Sequence, residues 1–134
     1  MVRGSQARRA AHAIDSIFID RWAHRGGALV LFISKITLDD ARVSRTQLFD
    51  TGAAWENFAL QGSLRNLVVH GMLGFDHDRA RSELKVPQDF QVDAMAAVGK
   101  PGEVQQLPEN LRPREQPSDR RPLNETVCAG AFSF

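Results

Sequence analysis

The sequence predicts an α+β fold, a mixed sheet flanked by helices with one long central helix, and three observations carry that prediction. Ala28 to Ser34 (ALVLFIS) is an unbroken apolar run of strand length. Phe90, Val92, Ala94, Ala96 and Val98 alternate with Gln91, Asp93 and Met95, the period of a half-buried strand. Between these runs, Ser44 to Asp76 carries apolar and small residues at helical spacing and ends in a turn bounded by glycines. Strands separated by helices, with one dominant helix, suit a sheet covered by helices.

Taken in order, the first element is a helix over Ala7 to Trp22. Ala10, Ala13, Ile14, Ile17 and Phe18 share one side, and Gly26 and Gly27 end it. Ala28 to Ser34 is apolar on both faces, so it is expected inside the sheet rather than at its edge. Ser44 and Gln47 have the spacing of a capping box, which starts the long helix near Arg45. Leu48, Gly52, Trp55, Ala59 and Gly62 form one stripe. Phe49, Ala54, Phe58, Leu64 and Leu67 widen it until the helix should be buried on most sides. Its small residues, Gly52, Ala53, Ala54, Ala59, Gly62 and Ser63, suit a close neighbour in a core or at a subunit interface. A membrane span is rejected because Asp50, Glu56, Asn57, Gln61 and Arg65 interrupt the run.

Past the glycine turn, Asp76 can cap a short helix from His77 to about Lys85, with Pro87 beyond its end. The alternating strand follows and stops at Gly99, Pro101 and Gly102. From Glu103 to Pro117, three prolines among many charges predict an irregular surface arm, with a last helical turn over Leu123 to Cys128 and a short strand at the AFSF end.

Composition narrows the function classes. With 43% hydrophobic and 25% charged residues the chain is ordinary globular, and 134 residues make one domain. Seventeen basic against sixteen acidic residues leave a net charge of +1, which gives no electrostatic case for nucleic acid or a membrane surface. The single cysteine, Cys128, excludes an internal disulfide. The basic amino terminus lacks the apolar segment and cleavage site of a secretory signal, so the expected location is the cytoplasm.

The stretch that best suits chemistry is Gly71, Met72, Leu73 and Gly74. Glycine lets backbone run close to a flat ligand, and an exposed N–H there can donate to a ring nitrogen. The same residues also read as a helix-ending turn. His70, just before the turn, could donate to a ligand or substrate but as a single histidine reads as structural or exposed. Trp55 in mid-helix reads as packing, and Glu56 and Asn57 could be partners for another helix. Arg120 and Arg121, beside Asp119, read on their own as a solvated basic pair. His12, His24 and His77 have no ligand spacing, so no metal is expected, and neither a GxxxxGK[ST] nor a GxGxxG run is present.

Four segments, LFDTGAAWENFALQ, HGMLGFD, FQVDAMAAVGKPG and PSDRRPLNETV, resemble in order and spacing the carboxyl-terminal half of the FMN-dependent nitroreductase family, over about Trp22 to Val127. The resemblance implies a nitroreductase-like fold, truncated at the amino terminus: a partial domain over 1–134 with an extended carboxyl-terminal arm over 103–134. It implies FMN as cofactor, and an oxidoreductase passing hydride from NAD(P)H through FMN to a nitroaromatic, quinone or similar acceptor. Gly71 to Gly74 would lie along the isoalloxazine, with the N–H of Leu73 facing the nitrogen that accepts hydride, and Arg120 would hold the phosphate. The flavin carries the chemistry, so no catalytic side chain is expected. Members of the family are intertwined homodimers with flavin at the interface. The family's arginine-rich opening motif and its asparagine loop have no counterpart here. A fragment, or a shortened relative acting as a non-catalytic dimerisation or flavin-sequestering module, is the alternative.

Overall fold

The computed structural model describes residues 26–131, and the helix expected over Ala7 to Trp22 and the AFSF strand fall largely or wholly outside them. The chain divides after Pro101 into two compact units. Among the described residues the first holds a three-stranded sheet and two helices: β1 (Ala28–Lys35), α1 (Gln47–Leu64), β2 (Val68–Met72), α2 (His77–Glu83) and β3 (Phe90–Gly99). Strand order is β1-β3-β2, and both ladders are antiparallel.

Two expectations about the strands are corrected. Among the described strands ALVLFIS lies at an edge, and β3 is the middle strand. The short side chains of Ala94, Ala96 and Ala97 explain the exchange, because they let β3 be covered on both faces despite its alternating pattern; Val92, Met95, Ala96 and Ala97 are all buried. The second correction is that the long helix does not run into the glycine turn. It ends at Leu64, Asn66 takes a left-handed φ of 55°, and the β-branched pair Val68–Val69 enters the sheet as β2.

α1 begins at Gln47, two residues later than expected, and its cap position, Thr46, makes no capping bond to the helix amides. The Thr46 hydroxyl donates instead to Asp50 Oδ2 at 3.1 Å. With its amide turned so that nitrogen is the donor, Gln47 reaches the carbonyls of Lys35 (3.0 Å) and Ser44 (3.3 Å), so it ties the helix start to the end of β1 rather than closing a capping box. At α2 the cap forms as expected, with Asp76 Oδ1 accepting from the Arg79 amide at 2.9 Å.

The two faces of the sheet carry different loads. On one, Met72, Phe75, Ala80, Val92, Met95 and Ala97 form the core, with Leu29, Leu31 and Val86 packed against it. On the other, α1 packs through a narrow stripe: Phe32 meets the rings of Trp55 and Phe58 edge-on, and Gly62 brings the helix so close to β2 that a Cβ there would collide with the Val69 side chain. The expected burial of α1 on most sides is corrected as well. Among the helix residues Gly62 alone is buried, while Phe49 is 79% and Leu64 80% exposed, because the three described strands meet the 18-residue helix along one side.

Near one end of β3 the ladder slips. Phe32 faces Ala94 and Ile33 faces Val92, which leaves Asp93 as the extra residue of a bulge. The second unit, from Gly102, is built of single 3-10 turns at Val104–Gln106, Arg112–Arg114 and Leu123–Glu125, the last standing where a helical turn was expected. The Arg112 guanidinium donates to the carbonyls of Leu107 (3.0 Å) and Gln105 (2.9 Å) and holds the first two turns together.

Candidate functional site

The corner after β2 is assembled from alternating buried and projecting residues. Met72, the last residue of the strand, faces Met95 across the ladder and is 8% exposed, and Phe75, three residues on, is 6% exposed; both are fixed in the core. Between these two plugs Leu73 projects, 71% exposed. The Phe75 amide donates to the Leu73 carbonyl at 2.9 Å and closes a three-residue turn around Gly74.

What this turn leaves unused is a donor. Among the described residues the Leu73 amide takes part in no turn or side-chain hydrogen bond. Beside it, a Cβ placed on Gly74 would meet nothing within 4 Å. A bare stretch of main chain whose N–H the turn does not use, with open space beside it among the described residues, suits a flat, hydrogen-bond-accepting ligand.

The four residues singled out in the sequence therefore do different things. Leu73 and Gly74 form the accessible corner. Gly71 is needed by a neighbour inside the chain, since a Cβ there would stand 2.9 Å from Trp55 Cη2 and 3.0 Å from its Cζ2. The side chain of Met72 is spent in the core, which leaves only its main chain near the corner. Beyond the turn, the His77 ring stacks on Phe75 with centroids 4.1 Å apart, and its Nδ1–H donates to the Phe75 carbonyl at 3.0 Å.

Arg120 lies in the second unit, on an exposed irregular stretch with Arg121 alongside. Among the described residues neither takes part in an ion pair or a side-chain hydrogen bond, so both guanidinium groups are available to an anion. No group of three or more histidine, cysteine, aspartate or glutamate side chains that could hold a metal ion is found among the described residues, and no described helix is long and apolar enough to cross a membrane.

Sequence reasoning passed over two features. Trp55, read as packing alone, is the residue that occupies the space at Gly71. Asp93 has both carboxylate oxygens buried without a hydrogen-bond partner, and only a bulge, which alternation does not announce, puts it there.

No protein-family model matches the chain. An uncharacterised 15.4 kDa protein from the ask 5′ region of Mycolicibacterium smegmatis is 29% identical over 112 residues, covering 83% of this chain and 75% of that protein. Among solved structures, an oxidoreductase containing FMN superposes with a TM-score of 0.88 at 30% identity, over 98% of this chain and 68% of the other. A nitroreductase family protein from Clostridium difficile shares the fold at a TM-score of 0.60 and 18% identity, over 92% of this chain and 67% of its own.

Proposed function

Because the chain belongs to the nitroreductase-like family of FMN-containing oxidoreductases, we propose that it binds FMN at the Leu73–Gly74 corner and moves hydride from NAD(P)H to a small oxidised acceptor. The observation that carries this reading is the Leu73 amide that its turn leaves unused, beside open space at Gly74 among the described residues and held between two buried side chains. The corner fits the isoalloxazine on chemical grounds as well as by shape: the ring system is flat, and its redox-active nitrogen is a hydrogen-bond acceptor that a fixed main-chain donor can serve.

When bound, FMN supplies two-electron chemistry, taking hydride from a nicotinamide and passing it to a nitroaromatic, quinone or similar acceptor. The chain supplies position and polarity. The Leu73 N–H holds a donor at a fixed place, where it favours electron density gathering on the ring nitrogen. Met72 and Phe75 keep that donor from turning away, since either would have to leave the core for the corner to move. The family resemblance assigns the phosphate tail to Arg120, whose guanidinium is a planar, permanently charged fork, and its neighbour Arg121 could exchange roles with it.

α1 supports a dimer in this reading. Leu48, Phe49, Leu60 and Leu64 are all more than half exposed on it, an apolar surface that a second copy of the chain would cover. The same surface favours the alternative, a dimerisation or flavin-sequestering module without turnover.

Two measurements test the proposal. Protein mixed with FMN and freed of unbound flavin should keep a yellow chromophore, and a colourless product would remove the flavin reading. NAD(P)H oxidation that needs added FMN and continues for many turnovers would exclude the non-catalytic module, whereas tight flavin binding without turnover would favour it.

A further inference from the structure

We infer that Trp55 is a positioning residue for the corner, acting through Gly71 on the main chain of Leu73; the inference rests on the flavin reading of that corner. Its basis is a row of residues crossing the sheet under α1. Val30 on β1, Ala96 on β3 and Gly71 on β2 stand side by side in register. Side-chain size falls along the row from valine to alanine to none, and Ala96 is fully buried.

Trp55 uses the low end of this row. Its six-membered ring comes so near Gly71 that the smallest side chain there would have to displace it. On the β1 side Phe32 meets the indole edge-on, with centroids 5.4 Å apart and planes at 77°, and Phe58 backs Phe32 in the same manner at 5.7 Å. The indole therefore has a ring behind it and bare backbone in front. It is a rigid spacer between helix and strand, with two side-chain torsions and no slack.

The position of that backbone matters because Gly71 is two residues from Leu73. On the opposite face Met72 and Phe75 anchor the same segment in the core. Trp55 thus sets how far the strand end lies from α1, and the core side chains set how it is turned. The direction of the Leu73 N–H follows from both.

The test is a double-mutant cycle on Trp55→Leu and Gly71→Ala, read in two ways. One readout needs no flavin: the position and hydrogen-exchange rate of the Leu73 amide resonance in the free protein. The other is FMN affinity from fluorescence quenching. Gly71→Ala is expected to move the Leu73 resonance and weaken FMN about tenfold, a change of about 1.4 kcal/mol by the usual conversion. Trp55→Leu should do likewise, and the double variant should be no worse than Trp55→Leu alone, because the added methyl then has room. Trp55→Phe, which keeps a ring of shorter reach, should fall between wild type and Trp55→Leu in affinity.

Folded variants that leave the Leu73 resonance and FMN affinity unchanged would overturn the inference, as would effects of Trp55→Leu and Gly71→Ala that simply add. Should Trp55→Leu fail to fold, the milder Trp55→Phe and Gly71→Ala pair is read by the same criteria. If the wild type binds no FMN but the amide resonance moves and couples as described, the flavin reading falls and the spacer role stands.

Discussion

Phe75 and His77 stack almost parallel, 4.1 Å between ring centroids at an interplanar angle of 19°, while the His77 Nδ1–H donates to the main-chain carbonyl of Phe75. The carbonyl can only accept, so the hydrogen bond fixes which imidazole nitrogen carries the proton. Phe75 is consequently held from two sides, by the core beneath and by His77 above.

That arrangement predicts an uneven pair of mutants. Phe75→Ala removes a core plug and should cost about 3–5 kcal/mol of stability. His77→Ala loses one ring contact and one partly exposed hydrogen bond, and should cost only about 0.5–1.5 kcal/mol. Urea denaturation followed by circular dichroism measures both. Equal losses would mean that the stack, rather than the core beneath it, holds the corner.

Asp93 gives a prediction of opposite sign. Both of its carboxylate oxygens are buried and make no hydrogen bond, as does the buried hydroxyl of Ser34 on the neighbouring strand. A buried acceptor without a donor carries a desolvation cost with nothing to offset it. Asp93→Val, apolar and at home in a strand, should leave stability unchanged or raise it by about 1–3 kcal/mol. The urea midpoint decides, and a loss of stability would reveal a donor that Asp93 serves in the intact molecule.

The sequence made some of this legible and hid the rest for identifiable reasons. β1, β3 and the capped α2 follow from runs and spacings that physical chemistry reads directly: an apolar stretch, an alternation, and an aspartate before His77. β2 was hidden because Leu67, Val68 and Val69 extend the apolar pattern of the helix before them. The break is a left-handed Asn66, which only the folded chain displays. Which strand sits in the middle does not follow from hydrophobicity, because small size is the property that lets both faces of β3 be covered. At the site, the corner was legible from its glycines. The division of labour among them was not: Gly71 serves Trp55, a contact between residues sixteen apart in sequence that helix and strand bring together.

The exposed side of α1 predicts self-association. On the proposed dimer reading, Phe49→Glu combined with Leu60→Glu places charge on a surface that a second copy must desolvate. Sedimentation should show dimer for the wild type and monomer for the variant. A variant that remains dimeric would move the interface elsewhere, and a wild type that is monomeric at the same concentration would remove it.

The phosphate role proposed for Arg120 is separable from the corner because the residue sits in the second unit and carries no described structural bond. Arg120→Gln should therefore leave stability within about 0.5 kcal/mol of wild type, as expected of an exposed side chain. It should still weaken FMN by about tenfold or more, the effect of losing charge-assisted bonds worth about 1.5–3 kcal/mol. Riboflavin, which shares the ring system and lacks the phosphate, supplies the control: its affinity should be the same in wild type and variant. A variant that loses riboflavin and FMN in equal measure would place Arg120 against the ring, and one that loses neither would leave the phosphate to Arg121 or to another cation.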